Sequence, residues 1–522
     1  MLLTTLLNNR FVIVFLVPFL LGVMTVLTFQ PFNITILNFF IFPLLFLVIT
    51  YVNKKSRNIY RKKPFLSNLF FIGHFFGFGF FLSGTYWISY SLTFDENFKY
   101  LIPFSVILLP FCLGFFYGIA TLISGYFLKK NISSVLIFCS MFASVDFIRS
   151  KILTGFPWNL WSYSWSWIPE VIQVLNPIGL FAFNLITISI FCSPLLLVFE
   201  RKKSHLIIFF TIILIFFSNY LYGFIIINKS TEMKQDKSIN VKIVSPSFDL
   251  KYDLKPKELS KLTDKLIRYS EPSKKKNTIF VWPEGVYAGY SFFEIQYLKD
   301  KFKNNFSKNH IIVFGVNTVE ETPYKIYNSF VAVNNNFEII YKYNKKKLVP
   351  FGEFLPLEKY LNKFGLKKIT QGSLSFSKGS EKENFKFLDA NIMPLICYEI
   401  IFTELIQKMK VNTNLIINIS EDAWFGGSIG PHQHFSKAIF RAIESNSFIA
   451  RSANQGISAF INNKGKVIKI LKPYEKGNIE LNIPLINSKN KNKNKNDLIF
   501  FILLFTYMLI FFTLKKFSND KK

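Results

Sequence analysis

Cysteine is scarce in this chain, with four among 522 residues. Cys112, Cys139 and Cys192 lie inside apolar runs, where a thiol behaves as a small hydrophobe. Cys397 stands alone in the long polar part of the chain, which excludes a disulfide framework. Acidic residues are also few: 32 Asp plus Glu against 62 Lys plus Arg, a net charge of +30. No recognisable nucleic-acid module accompanies that excess, and much of it lies beside apolar segments. Nucleic acid is therefore not an expected partner; topology-setting loop charges and attraction to anionic lipid explain the balance. Histidine numbers five. His432 and His434 in GPHQHF stand two apart, but no second ligand cluster accompanies them, so neither a metal nor another cofactor is expected. No internal repeat is evident. No small-residue cleavage site follows the first apolar segment, so it is expected to be a retained helix rather than a signal peptide.

Half of the residues are hydrophobic and 18% are charged. That is too apolar for an ordinary soluble enzyme and too charged for a transporter, so a membrane part plus a water-facing domain is expected. Segments long enough to cross a bilayer, about 20 residues each, fall near 11–29, 34–52, 66–89, 103–128, 133–149, 171–199, 206–227 and 498–514. The segment at 133–149 is the weakest, being short and ending in Asp146 and Arg149. Lys54, Lys55, Arg57, Arg61, Lys62 and Lys63 crowd the second loop. Lys129 and Lys130 follow the fourth segment, and Arg201, Lys202 and Lys203 follow the sixth, whereas the loop after the third carries Asp95 and Glu96. The positive-inside rule then puts the N-terminus in the cytoplasm, everything after residue 228 outside, and the C-terminus back inside. Lys489, Lys491, Lys493 and Lys495, on the outer flank of the last helix, go against that trend.

Residues 238–486 alternate short β-rich runs with polar amphipathic stretches near 254–270, 291–305, 400–409 and 433–446, the pattern of one α/β domain. The expected organisation is a seven-helix bundle over 1–229, a catalytic α/β domain over 230–488, and a linker plus C-terminal helix over 489–522, with KNKNKNKN at 489–496 as low-complexity linker.

Three apolar runs of that domain end in chemistry. IFVWPEG places Glu284 at the end of one, EIIYKYNKKK places Lys345 after another, and IMPLICYE delivers Cys397 from a third. A carboxylate, an ammonium and a thiol at three strand ends suit acyl transfer. The thiolate attacks a carbonyl, Glu284 takes the thiol proton, and Lys345 stabilises the oxyanion with the backbone N–H of Tyr398 as a second donor. Singly, each residue has a plainer reading: a solvated strand-end carboxylate, one member of a basic run, an inert core thiol. A Cys–His dyad using His432 or His434 is the competing arrangement.

The strings VWPEG, NKKKLVPFGEFLP, ICYE, NISEDAWFG, RAIE and RSANQGIS resemble the nitrilase, or carbon–nitrogen hydrolase, superfamily, and within it the bacterial apolipoprotein N-acyltransferases. GTYWISYSL and TGFPWNLWSYSW extend that resemblance into the membrane half. The resemblance implies an αββα sandwich facing the periplasm on a bundle of about eight helices in the cytoplasmic (inner) membrane. It implies a Glu284–Lys345–Cys397 triad, with Glu353, Tyr398 and Glu399 in support and Trp424 shaping an acyl pocket. It implies a phospholipid donor, typically phosphatidylethanolamine, and diacylglyceryl-cysteine apolipoproteins as acceptors; a monomer is expected. Where that family commonly has Lys-Trp, this chain has Lys251-Tyr252. Two alternatives are a membrane-tethered amidase hydrolysing a small amide, and a non-catalytic lipoprotein-binding protein. The first has no need of a helix platform, and the second has no need of the three residues. Finally, Phe351, Phe354, Leu355, Leu357, Leu361, Phe364 and Leu366, punctuated by Gly352, Gly365 and Gly372, suggest that 347–378 is a mobile cover whose Lys359, Lys363, Lys367 and Lys368 meet headgroups.

Overall fold

A computed structural model describes residues 9–59, 64–199, 202–229, 237–252, 254–361, 363, 375–380, 384–410, 412–485 and 496–519. Arg61, Lys62, Lys63, Arg201, Lys489, Lys491, Lys493, Lys495, Lys521 and Lys522 lie outside the described residues. So do Phe364, Gly365, Leu366, Lys367, Lys368 and Gly372 of the expected cover. The chain divides into two compact units: Met1–Lys229 with Asn494–Lys522, and Ser230–Lys493.

Among the described residues, the first unit holds seven helices long and apolar enough to cross a membrane. They are Thr35–Lys55, Leu66–Phe94, Glu96–Gly125, Ile132–Lys151, Leu180–Val198, Lys203–Asn228 and Asp497–Lys516. The first expected segment is a shorter apolar helix, Val12–Thr28. It starts as a π-turn, Val12–Leu16, just ahead of Pro18 and ends in a tight 3₁₀ turn, Thr25–Thr28. Pro18 cannot donate to the ladder, and its ring crowds the preceding turn, which suits a local widening. The expected single segment at 171–199 is broken. Short helices Pro169–Ile172 and Leu175–Ile178 precede Leu180–Cys192, and Leu195–Val198 follows. Pro177, Gly179 (φ 82°) and Pro194 lie in or beside the breaks. The weak segment is one full helix, Ile132–Lys151, and its two charges are buried inside the unit. Asp146 accepts from Arg149 (3.0 Å), Tyr117 (2.9 Å) and Asn184 (2.9 Å), while Arg149 also donates to the carbonyls of Phe156 and Asn159. Charges at membrane depth persist when paired in this way.

The second unit is a two-sheet sandwich. Its strands are β1 (Ser238–Ser245), β2 (Thr278–Val281), β3 (His310–Glu321), β4 (Tyr324–Val333), β5 (Ile339–Asn344), β6 (Phe385–Phe387), β7 (Ala390–Ile396), β8 (Leu415–Glu421), β9 (Phe448–Asn454), β10 (Ser458–Ile461), β11 (Val467–Leu471) and β12 (Gly477–Pro484). One sheet has the order β12-β1-β2-β3-β4-β5 and the other β11-β10-β9-β8-β7-β6. In each, three central strands run parallel (β1-β2-β3 and β7-β8-β9) with antiparallel strands flanking them. Parallel strands buried on both faces read as near-continuous apolar runs, and Ile279–Val281 of β2 continues apolar into Trp282. Ile279 and Val281 face the inter-sheet core with Val241, Val313, Ile417 and Ala450. Phe280 and Trp282 face outward and pack with Leu259 and Leu266 of helix α1 (Pro256–Ser270) and with Phe302 of α2 (Lys299–Asn305). On the second sheet, α4 (Gly430–Ser445) lies against β9 and β10, with the short α3 (Thr403–Gln407) beside it. The result is four layers, helix–sheet–sheet–helix, and the parallel strands all deliver their carboxyl ends to one edge.

Candidate active site

Glu284 lies three residues past the end of β2 and is 8% exposed. The chain must turn sharply there: Gly285 has φ of 77°, and a Cβ on it would stand 2.5 Å from Glu421 Oε2. From the neighbouring strand, a Cβ on Gly315 would stand 3.0 Å from Glu284 Cα, so both glycines are required by close approach. Glu284 Oε1 accepts from Asn328 Nδ2 (2.8 Å) and Lys345 Nζ (3.4 Å), and Oε2 accepts from the Glu421 N–H (3.1 Å).

Lys345 follows β5 directly and is 1% exposed. Its main-chain N–H is fixed on the Asn328 carbonyl (2.9 Å), and its Nζ donates to Glu353 Oε1 at 2.9 Å. Burial works against its charge, but the carboxylates of Glu284 and Glu353 outweigh that and push its pKa up. Lys345 is a fixed buried cation. Glu353 also accepts from Asn328 Nδ2 (2.7 Å) and, on Oε2, from the Val349 N–H (2.9 Å).

Cys397 is the first residue after β7, buried, in the left-handed region at φ 46°. Its thiol pKa is pushed up, first by burial and then by the charge of Glu284, with Lys345 opposing. The thiol therefore rests protonated, and forming a thiolate needs a base in place. Glu399 braces this turn. Its Oε2 accepts from the Ile396 N–H (2.9 Å), and its Oε1 accepts from Tyr343 (2.9 Å) and the N–H groups of Lys346 (2.7 Å) and Lys347 (3.2 Å). One carboxyl thus links the Cys397 turn to the strand end that carries Lys345. Burial raises its own pKa against those hydrogen bonds.

The apolipoprotein N-acyltransferase N-terminal domain family matches residues 21–193, and the carbon-nitrogen hydrolase family matches residues 249–489. The apolipoprotein N-acyltransferase of Rickettsia typhi (strain ATCC VR-144 / Wilmington) is 33% identical over 478 residues, covering 90% of this chain and 92% of its own. That of Rhizobium etli (strain CIAT 652) is 30% identical over 478 residues, 88% of each chain. This chain belongs to the apolipoprotein N-acyltransferase family. Among solved structures, the CN-hydrolase superfamily protein XC1258 from Xanthomonas campestris matches 47% of this chain and 91% of its own, at 14% identity and a TM-score of 0.36.

Tyr252 falls at this site. The Tyr252 ring lies 6.2 Å from that of Trp424, at 42°. Its hydroxyl pKa is pushed well up by burial and then by the charges of Glu421, Glu284 and Glu353. Tyr398 is half-buried, with its ring edge-on to Phe402 at 5.0 Å.

Of the two histidines weighed for a dyad, His434 meets the main chain of Cys397. His434, on α4, is fully buried, and its Nε2 lies 3.3 Å from the main-chain carbonyl of Cys397. Its Nδ1 is engaged by Asp422 Oδ1 (3.1 Å) and Arg451 Nη2 (3.0 Å). His432 is half-buried, and burial lowers its pKa. Among the described residues, no group of three or more His, Cys, Asp or Glu side chains is arranged to hold a metal ion.

Four residues that sequence reasoning passed over belong to this site: Asn328, Glu421, Asp422 and Arg451. Asn328 ties both carboxylates together. Glu421 is buried, held by Asn454 Nδ2 (2.9 and 3.0 Å), and its pKa is pushed well up by burial. Burial opposes the charge of Asp422, yet Arg451 and His434 hold its pKa down at about 2. The available signal was NISED, two acids ending a strand that is otherwise buried throughout.

Proposed function

We propose that Cys397, Glu284 and Lys345 carry a two-step acyl transfer from a membrane phospholipid to the N-terminal amine of a diacylglyceryl-cysteine apolipoprotein. The chain is a multi-pass membrane acyltransferase of its family. In the first step Glu284 takes the thiol proton as Cys397 Sγ attacks the donor's ester carbonyl. The oxyanion forms against the Lys345 ammonium and the Tyr398 N–H. The intermediate collapses, the lysophospholipid oxygen leaves with the proton from Glu284, and the acyl chain remains on sulfur as a thioester. In the second step the acceptor amine attacks the thioester, passes its proton through Glu284 to the departing sulfur, and leaves as an amide. Atoms and protons balance, and the thiol is regenerated.

The observation that carries this reading is the Lys345 ammonium, buried between the carboxylates of Glu284 and Glu353 and within the field of Cys397. A charge held there costs desolvation free energy, which is recovered when an oxyanion forms beside it. Glu353 and Asn328 hold the lysine, Glu399 holds the nucleophile's turn, and Tyr252 with Trp424 offers an aromatic wall for the donor chain. The donor is phosphatidylethanolamine, its sn-1 chain is transferred, and the enzyme acts as a monomer. Loop charges at Lys54, Lys55, Lys129, Lys130, Lys202 and Lys203, against Asp95 and Glu96, support a cytoplasmic N-terminus and a periplasmic catalytic domain in the inner membrane, counting Val12–Thr28 as a crossing.

The test is transfer by purified enzyme in phosphatidylethanolamine vesicles to a diacylglyceryl-cysteine peptide. Amide formation that vanishes in Cys397→Ala supports the reading. Release of free fatty acid with no acylated peptide would replace it with a hydrolase.

A further inference from the structure

We propose that His434 is a positioning residue: it holds the Cys397–Tyr398 peptide in the orientation that aims the Tyr398 N–H at the oxyanion. This deepens the function proposed above and rests on its assignment of Cys397 and Tyr398. The Cys397 carbonyl and the Tyr398 N–H belong to one planar trans unit and point in opposite directions. Whatever fixes the carbonyl therefore aims the N–H. Cys397 sits at φ 46°, in the left-handed region that non-glycine residues seldom adopt, so an external hold has something to do.

That hold is His434 Nε2, 3.3 Å from the Cys397 carbonyl oxygen. A carbonyl only accepts, so this hold requires the tautomer with the ring proton on Nε2; the other tautomer donates Nδ1–H to Asp422 Oδ1 instead. In the Nε2–H tautomer Nδ1 carries a lone pair and accepts from Arg451 Nη2 at 3.0 Å. Asp422 Oδ1, 3.1 Å from Nδ1, takes its own hydrogen bonds from Arg451 Nη2 (3.1 Å) and Ser420 Oγ (2.7 Å). Arg451 Nη1 donates to Asn418, and Asp422 Oδ2 accepts from Arg451 at 2.9 Å. Asp422 cannot back away: a Cβ on Gly456 would lie 2.2 Å from its Oδ2, so the backbone there is already in contact. The Phe425 ring stands at 90° to the imidazole, 5.4 Å away. Burial and the Arg451 charge lower the ring's pKa to about 4, with Asp422 opposing, so at neutral pH it has one N–H to give. Given to the Cys397 carbonyl, that N–H makes the ring a support for the main chain.

The experiment uses the full-length enzyme in phosphatidylethanolamine vesicles without acceptor. It reads the single-turnover rate of acyl-Cys397 formation, the dependence of that rate on phospholipid, and the melting temperature. His434→Phe keeps a ring and removes the donor; His434→Gln loses the ring but returns an N–H near the Nε2 position. We expect His434→Phe to slow acylation at saturating lipid by roughly tenfold or more with half-saturation unchanged, and His434→Gln to recover to within about threefold of wild type. Wild-type rates in His434→Phe overturn the inference. Equal slowing in both variants, in step with equal losses of melting temperature, also overturns it, because a packing role alone does not distinguish donor from non-donor. Should His434→Phe not fold, His434→Met, matched to glutamine in length and lacking the donor, takes its place in the same comparison. If wild type itself forms no acyl-Cys397, the failure lies with the proposed function; if wild type acylates and the donor makes no difference, it lies with His434 alone.

Discussion

Replacing Glu353 by glutamine tests how the buried cation is held. Every partner of this carboxylate is a donor: Lys345 Nζ at 2.9 Å and Asn328 Nδ2 at 2.7 Å on Oε1, and the Val349 N–H at 2.9 Å on Oε2. Glutamine supplies one acceptor and one NH₂, so one end of the amide must face a donor. If the NH₂ meets Lys345, the ammonium keeps only Glu284, at the longer 3.4 Å. Removing one partner of a buried ion pair costs about 3–5 kcal/mol. Glu284 remains, so the lower end applies, about 3 kcal/mol, part of it felt in the ground state and part in the placement of the cation beside the oxyanion. If most of it appears in the barrier, acylation slows by roughly a hundredfold. The assay is rapid-quench formation of the acyl-enzyme at saturating phospholipid, with Glu353→Asp as the charge-preserving control. An acylation rate within about threefold of wild type in Glu353→Gln would refute the argument that this carboxylate positions Lys345.

Lys345→Met should lose acylation by about a hundredfold or more while phospholipid still binds, since a single oxyanion donor is worth about 3 kcal/mol; a variant that acylates normally removes Lys345 from the mechanism. Tyr252→Ala should raise the half-saturating phospholipid by roughly two- to tenfold, the worth of an aromatic pair, and Tyr252→Trp should not; unchanged saturation in the alanine variant removes the aromatic wall. His434 makes a pH prediction. Its folded pKa is lowered from 6.5 to about 4, so the unfolded chain binds the proton more readily and stability is lost as pH falls from about 6.5 toward 4. Between pH 7.5 and pH 5 this amounts to about 2 kcal/mol, which His434→Gln should abolish in a comparison of melting temperatures; an identical pH dependence in the two proteins would contradict a neutral buried imidazole.

The convergence of Glu284, Lys345 and Cys397 was legible because each follows a short β-rich run, and strands in facing sheets bring their carboxyl ends to one edge. The α/β domain was legible in runs such as IFVW and LII, apolar and buried on both faces, whereas the pairing of two sheets was implied by the family resemblance. What was hidden is what acts across sequence. Asn328 reads as one polar position on a strand, and nothing local says that two carboxylates share its amide. His434 reads as half of a metal or dyad pair, because its true partners, the Cys397 carbonyl and Arg451, reach it from distant strands. Asp146 and Arg149 read as the fraying end of a weak membrane segment, although they are a buried pair inside a full helix. The long apolar stretch at 171–199 concealed its breaks, since hydropathy averages over the prolines and the glycine that interrupt it.

The most direct test of the central claim is to trap the intermediate. Wild-type enzyme is mixed with phosphatidylethanolamine vesicles without acceptor, quenched in acid, digested, and the peptide containing Cys397 weighed by mass spectrometry before and after hydroxylamine. The account predicts one fatty acyl chain on Cys397, removed by hydroxylamine and absent in Glu284→Gln. Turnover to acylated peptide in the complete reaction, with Cys397 never carrying an acyl group on the same timescale, would contradict it.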